Sequence, residues 1–355
     1  MYKKEHFGVI PTGEPVDRYT LYNKNGVSAS FISLGGIWTS LIVPDRDGRE
    51  TDVLLGYDTV DACLQNGGHL GEIVGRNANR IGQAKLTIDG KVYPLVVNNG
   101  PNNLHSGPDF YRNRIWDAEI AEHAEDTSIS FSLMSPDGDQ GYPGNAQITV
   151  TYTLTADNAV EIRYNMICDH DTIANMTNHS YFNLAGHNTG NAMAQQVWIN
   201  ADFYTPTDSD SIPTGILDPV QGTPMDFTVM KPIERDINCD FEPLRFGSGY
   251  DHNWVLNNRT KEPTLAAKAY DAASGRWMEV YTDLPGLQFY TANFLESQIP
   301  GKSGVIYGSR HGYCFETQYY PNAVNIPAFP SPILKEGKEY KTITIYKFLI
   351  DGKGT

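Results

Sequence analysis

Two residues carry chemistry that packing alone does not call for. The stretch "TNHSYFNL" (177–184) places His179 among Thr, Asn, Ser and Tyr. Read as a strand, it puts Thr177, His179, Tyr181 and Asn183 on one face and Asn178, Ser180, Phe182 and Leu184 on the other. Neither face is plainly core. The stretch "CFETQYYPNAVN" (314–325) sets Glu316 after Phe315 and before Tyr319 and Tyr320. A carboxylate in such an apolar strand tends to be part-buried, and buried Glu is rare unless paired or used. An imidazole and a carboxyl group on opposite sides of a bound molecule could move two protons near neutral pH.

Four further segments are dense in polar and aromatic groups. "GRNANRIG" (75–82) carries Asn79 and Arg80, and "NNGPNNLHSG" (98–107) leads to His105. "GYDHNW" (249–254) carries Asp251, and "GLQFYTANF" (286–294) carries Gln288. Each also has a purely structural reading. Arg76 or Arg80 could be a surface arginine in a turn, and His179 a hydrogen-bonded core histidine. Glu316 could form an ion pair with Arg80. Asp251 could cap a turn, and Gln288 could satisfy strand backbone. The Asn-rich loop could bond its own main chain. As a set, amides, a guanidinium, imidazoles, an acid and aromatics are what a sugar pocket needs. Hydroxyls require fork-like donors and acceptors, and the apolar face of a sugar ring stacks on aromatic rings. His105, His179 and His252 lie on separate segments without short metal-ligand spacing, and no phosphate-loop, dinucleotide or zinc-helix motif is present. A metal site assembled from these three histidines by the fold stays open as the minor reading.

The elements that must hold these groups are strands. "AQITVTYTL" alternates Ile148, Val150, Tyr152 and Leu154 against three threonines. After the turn "TADN", Val160, Ile162, Tyr164 and Met166 resume the pattern, which predicts a hairpin with one dry face. "KLTIDGKVYPL" predicts a second hairpin, with Asp89-Gly90 as its two-residue turn. "SISFSLMS" and "YKTITIYKF" add strands. Helical periodicity is confined to residues 59–68, a short helix expected to end at glycine. No linker, charge block or fixed-period repeat divides the chain. The expectation is an all-β fold, a large antiparallel β-sandwich formed by residues 1–355 as a single domain, with a concave face as a ligand trough.

Bulk properties narrow the partners. A net charge of −15 argues against nucleic acid or an anionic membrane, which need a basic surface. No apolar run approaches the roughly 18 residues of a membrane span, and "MYKKEHFGVIPTGEP" lacks the apolar core of a signal peptide. Cys63, Cys168, Cys239 and Cys314 form no CxxC pair. A cytoplasmic protein acting on a neutral small molecule is expected. On that view the sequons at Asn175, Asn178 and Asn258 are chance.

The ordered set "LGYDTVDACLQN", "GRNANRIG", "PNNLHSG", "SPDGDQGYPG", "TNHSYFNLAG", "IPTG", "YDHNW", "GLQFYTANF" and "FETQYYPNAVN" resembles the aldose 1-epimerase (galactose mutarotase) family over nearly the whole chain. The resemblance implies a galactose mutarotase-like β-sandwich. It implies interconversion of the α and β anomers of free aldohexoses, galactose and glucose, without cofactor. It further implies that Glu316 is the base at the C1 hydroxyl and His179 the acid at the ring oxygen. Asn79, Arg80, His105, Asp251 and Gln288 match sugar-holding positions. The expected partner is the aldose, and the expected assembly a monomer or homodimer. Ser106 stands where many members have glycine, and Gln140 where an acid is common; both departures bear on sugar preference. A competing reading is a non-catalytic sugar sensor on the same fold, which would have no use for a matched acid and base. A glycoside hydrolase would normally use two carboxylates, and a sugar-phosphate epimerase would call for extra basic groups.

Overall fold

The computed structural model describes residues 1–122, 126–257 and 260–351. Among these, strands dominate and pair antiparallel. The largest sheet has nine strands, ordered Asp117–Glu122, Thr127–Ser135, Ala146–Leu154, Ala159–Cys168, Glu339–Ile350, Arg276–Thr282, Thr264–Asp271, Gln196–Ile199 and Lys231–Pro232. The alternation read in the sequence is realised in it. Ile148, Val150, Tyr152 and Leu154 are buried while the intervening threonines are half-buried, and Leu154 pairs with Val160 across the predicted turn. The Asp89-Gly90 hairpin also forms, with both turn residues at positive φ (48° and 80°). Such values suit the right-handed twist of paired strands.

A five-stranded sheet, ordered Asp218–Pro219, Phe203–Thr205, Asp251–Val255, Gly286–Tyr290 and Cys314–Gln318, carries Asp251, Gln288 and Glu316. Its two faces differ sharply. Asp251, Tyr290 and Cys314 form one row, and Asn253, Gln288 and Glu316 the next, on the same face. The alternate residues Trp254, Phe289 and Phe315 pack behind, with ring centroids 5.8 and 5.2 Å apart along the series. Burying such a side chain is worth about 1.5–3 kcal/mol, so the back face anchors the sheet. It docks on the nine-stranded sheet, where the Tyr346 hydroxyl donates to the Phe315 carbonyl at 2.7 Å and the Thr317 and Thr344 hydroxyls meet.

Three expectations need correction. The segment 177–184 is not a continuous strand. Only Thr177–Asn178 pairs as a strand, with Ile73–Val74, and the chain then takes isolated backbone bonds and bridges from several neighbours. The Leu55 amide donates to the Tyr181 carbonyl and the Asn183 amide to the Val53 carbonyl. No one partner strand runs alongside, so no ladder forms, and all eight residues are buried. The helix is only Val60–Leu64, capped by the Thr59 hydroxyl, which accepts from the Ala62 amide at 3.3 Å, and it stops before the glycines. A second short helix, Glu242–Gly247, had no clear periodic signal. Of the sequons, Asn175 and Asn178 are buried, and Asn258 lies outside the described residues.

Candidate active site

His179 is fixed by its backbone. Its amide donates to the Glu72 carbonyl at 2.9 Å, and its carbonyl accepts from the Gly71 amide at 3.0 Å. Gly71 holds φ at 73°, and a Cβ there would lie 2.2 Å from the Trp38 carbonyl oxygen, so this close approach needs glycine. His105 is held reciprocally by Asn79. Its amide donates to the Asn79 carbonyl at 3.1 Å, and the Asn79 amide donates to His105 Nδ1 at 3.2 Å. Both residues have positive φ, 61° and 53°. Left-handed backbone at non-glycine residues often marks a functional site.

The structure brings the candidates together around one cavity of about 490 Å³. Asn79, Arg80, His105, His179, Asp251 and Glu316 line it. Gln288 stands behind: its side-chain amide donates to Asp251 Oδ1 at 2.7 Å and so fixes that carboxylate. Arg80 donates from Nε to Asn99 Oδ1 at 3.0 Å, and its Nη2 lies 4.0 Å from Asp251 Oδ2. Arg80 therefore pairs with Asp251, not Glu316, and is no surface group. Arg76 is also not on the surface. It is fully buried and donates to the carbonyls of Ser135, Pro136, Pro143 and Gly144. Tyr290, Phe246 and Phe294 add aromatic surface to the cavity wall, Phe294 being 58% exposed.

His179 Nε2 lies 3.6 Å from Glu316 Oε1, and both side chains are buried. The two groups are therefore side by side, not on opposite sides of a bound ring. Burial lowers the His179 imidazole to about 3, with the neighbouring His69 acting in the same direction. Burial raises Glu316 well above the ordinary carboxyl range; Asp251 adds to this and Arg80 opposes it. Glu316 Oε2 is buried without a hydrogen-bond partner. A buried polar atom left bare is costly, and this one faces no structural duty.

One neighbour of His179 was missed in the sequence. Cys314 Sγ lies 3.5 Å from His179 Nδ1. Burial raises the thiol well above its usual range, so it keeps its hydrogen. The signal was available, since Cys314 precedes Glu316 by two residues on a strand and must share its face. His69, with Glu72 and Arg112 behind it, was also missed.

Ligand atoms of His105, His179 and Glu316 lie within 4.8 Å of one another, a grouping that distance alone would allow for a cation. The hydrogen bonds favour another use. Nδ1 of His105 accepts from a backbone amide, and Nδ1 of His179 faces a protonated thiol. Each ring then carries its hydrogen on Nε2, which suits donation to an oxygen and not metal ligation. His252 is not in this group; its Nδ1 accepts from the Asp251 amide at 3.1 Å.

The two departures prove structural. Ser106 Oγ is buried, accepts from the Asn77 amide at 3.0 Å and lies 2.9 Å from the Tyr142 hydroxyl. Gln140 donates to the Asp109 carbonyl at 2.8 Å. Neither lines the cavity.

Comparison with known proteins shows the family of the chain. The aldose 1-epimerase family pattern matches residues 17–347. A galactose mutarotase of Sus scrofa is 42% identical over 345 residues, covering 97% of each chain. An aldose 1-epimerase of Haemophilus influenzae is 39% identical, covering 95% of this chain and 97% of its own. The crystal structure of an aldose epimerase homologue from C. elegans superposes with a TM-score of 0.84 at 31% identity, covering 93% of this chain and 98% of that one. The chain belongs to the aldose 1-epimerase family.

Proposed function

We propose that this protein interconverts the α and β anomers of free aldohexoses, galactose and glucose among them, with Glu316 and His179 as its proton-transfer pair. Mutarotation needs one proton taken from the C1 hydroxyl and one given to the ring oxygen. Both oxygens are bonded to the same carbon, so acid and base must be neighbours. The 3.6 Å between His179 Nε2 and Glu316 Oε1 is the observation that carries the reading. Glu316, which lines the cavity, takes the C1 hydroxyl proton in its ionised form. His179, carrying the proton of the pair as an imidazolium in the reactive form, gives it from Nε2 to the ring oxygen and is left neutral. The ring opens, the C1–C2 bond rotates, and closure on the other face of the aldehyde reverses both transfers. Asn79, Arg80, His105 and Asp251 hold the hydroxyls, and Gln288 holds Asp251. All are side chains of one chain, so a monomer or a homodimer would carry a complete site. The four unpaired cysteines suit a cytoplasmic setting. No helix among the described residues is long and apolar enough to cross a membrane.

The sensor reading predicts binding without acceleration. Polarimetry of freshly dissolved α-galactose and α-glucose separates the two. Faster approach to the equilibrium rotation is expected. Sugar binding by calorimetry with an unchanged rate would instead favour the sensor.

A further inference from the structure

The cavity wall holds a third imidazole that none of the roles above uses. His69 lines the cavity, its ring centroid 4.9 Å from that of His105 and 5.7 Å from that of His179. Behind it lies a closed cluster. His69 Nδ1 is 2.9 Å from Glu72 Oε2. Glu72 Oε1 accepts from Arg112 Nη1 at 2.7 Å and from Asn66 Nδ2 at 3.1 Å. Glu72 is 1% exposed. Arg112 in turn lies over the Phe110 ring, 4.3 Å from its centroid, and His69 meets that ring edge-on.

This arrangement fixes the tautomer. Arg112 Nη1 is also 3.1 Å from His69 Nδ1, and the guanidinium and the carboxylate cannot both be served by that nitrogen. A lone pair on Nδ1 would face the Glu72 oxygen at the shorter distance, which is repulsive. The hydrogen therefore sits on Nδ1 and is donated to Glu72. Nε2 is left as an acceptor, and it has no hydrogen-bond partner among the described residues. His105 and His179 present hydrogens into the same cavity, so His69 supplies the opposite polarity. A sugar hydroxyl, which must donate as well as accept, is the group that this combination recognises.

We propose that His69 is a substrate-binding residue that accepts a hydrogen bond from one aldose hydroxyl through Nε2, and that Glu72 and Arg112 position it. It therefore sets discrimination among aldoses that differ at that hydroxyl. The inference rests on the mutarotase reading of the cavity.

The test compares wild type, His69→Phe and His69→Gln on galactose, glucose, 2-deoxygalactose and 6-deoxygalactose by polarimetry. His69→Phe keeps the ring packing and removes Nε2. Its kcat/KM on the preferred sugar should fall about tenfold, the value of one good hydrogen bond, chiefly through KM. Against at least one sugar of altered hydroxyl pattern it should lose nothing, which narrows wild-type discrimination. His69→Gln retains an acceptor and should regain part of the preference. The same ranking and ratios in all three proteins would overturn the role of His69. No acceleration of any sugar by wild type would instead overturn the mutarotase reading itself.

Discussion

Two histidine–glutamate pairs share one cavity, and they are built in opposite ways. Glu72 is saturated: Asn66, Arg112 and His69 all donate to it, the histidine from 2.9 Å. Glu316 is starved. Its histidine is 3.6 Å away, Oε2 has no partner, and Arg80 leans toward Asp251 instead. A carboxylate with both oxygens engaged is an anchor. One with an oxygen bare has an acceptor still to use. The difference between the pairs, not the residue types, separates a structural clamp from a proton-transfer site.

The comparison breaks most visibly on activity. His179→Asn should lower kcat in polarimetry by about a hundred- to ten-thousand-fold, the range for loss of a positioned acid or base, while the protein stays folded. Stability should show the reverse order. Glu72→Gln leaves Arg112, 11% exposed in its side chain, without its charge partner, and breaking such a pair costs about 3–5 kcal/mol. Urea unfolding at neutral pH should show this loss for Glu72→Gln but none for Glu316→Gln. The sign for Glu316 follows from its raised ionisation: the folded state holds the proton more tightly, so stability falls as pH rises through that range. Removing the charge is then neutral or stabilising at pH 7.

Smaller effects sharpen the account. Cys314→Ala removes the group facing His179 Nδ1. It should reduce kcat about tenfold, as expected for one lost hydrogen bond, with KM unchanged, and Cys314→Ser should restore part of it. The pH profile tests the shared proton. An ordinary acid–base pair would place the acid limb on the carboxyl group and the alkaline limb on the imidazole. Here the imidazole is lowered and the carboxyl raised. The pair therefore holds one proton across neutrality, the same count as the reactive form with protonated His179 and ionised Glu316. The acid limb of kcat/KM should lie well below the usual imidazole range and report a second proton entering the pair. The alkaline limb should report loss of the last one. A profile falling through the ordinary imidazole range would contradict this arrangement.

Much of this was readable from the chain. Strict alternation in Ala146–Leu154 exposed the dry face of the large sheet, because a strand with one face buried cannot hide its period. Glu316 stood out because its flanking aromatics had to be core, and Phe315 does pack on Phe289. The irregular path of 177–184 was not readable, since its backbone partners come from Val53, Leu55, Gly71, Glu72 and Tyr313, each distant in sequence. The Glu72 clamp was hidden for a similar reason: Arg112 lies 40 residues away, and nothing local links the two. The adjacency of acid and base was a matter of register. Gln288 opposes Glu316 across the sheet, and His179 reaches the same place from outside it.

The central claim is that Glu316 is the base. It is tested most directly by the polarimetric rate constant for freshly dissolved α-galactose with Glu316→Gln at the same concentration of folded protein as wild type. A loss of at least about a hundredfold is predicted, with sugar binding retained in calorimetry. A rate close to wild type would show that the proton leaves the C1 hydroxyl by another group.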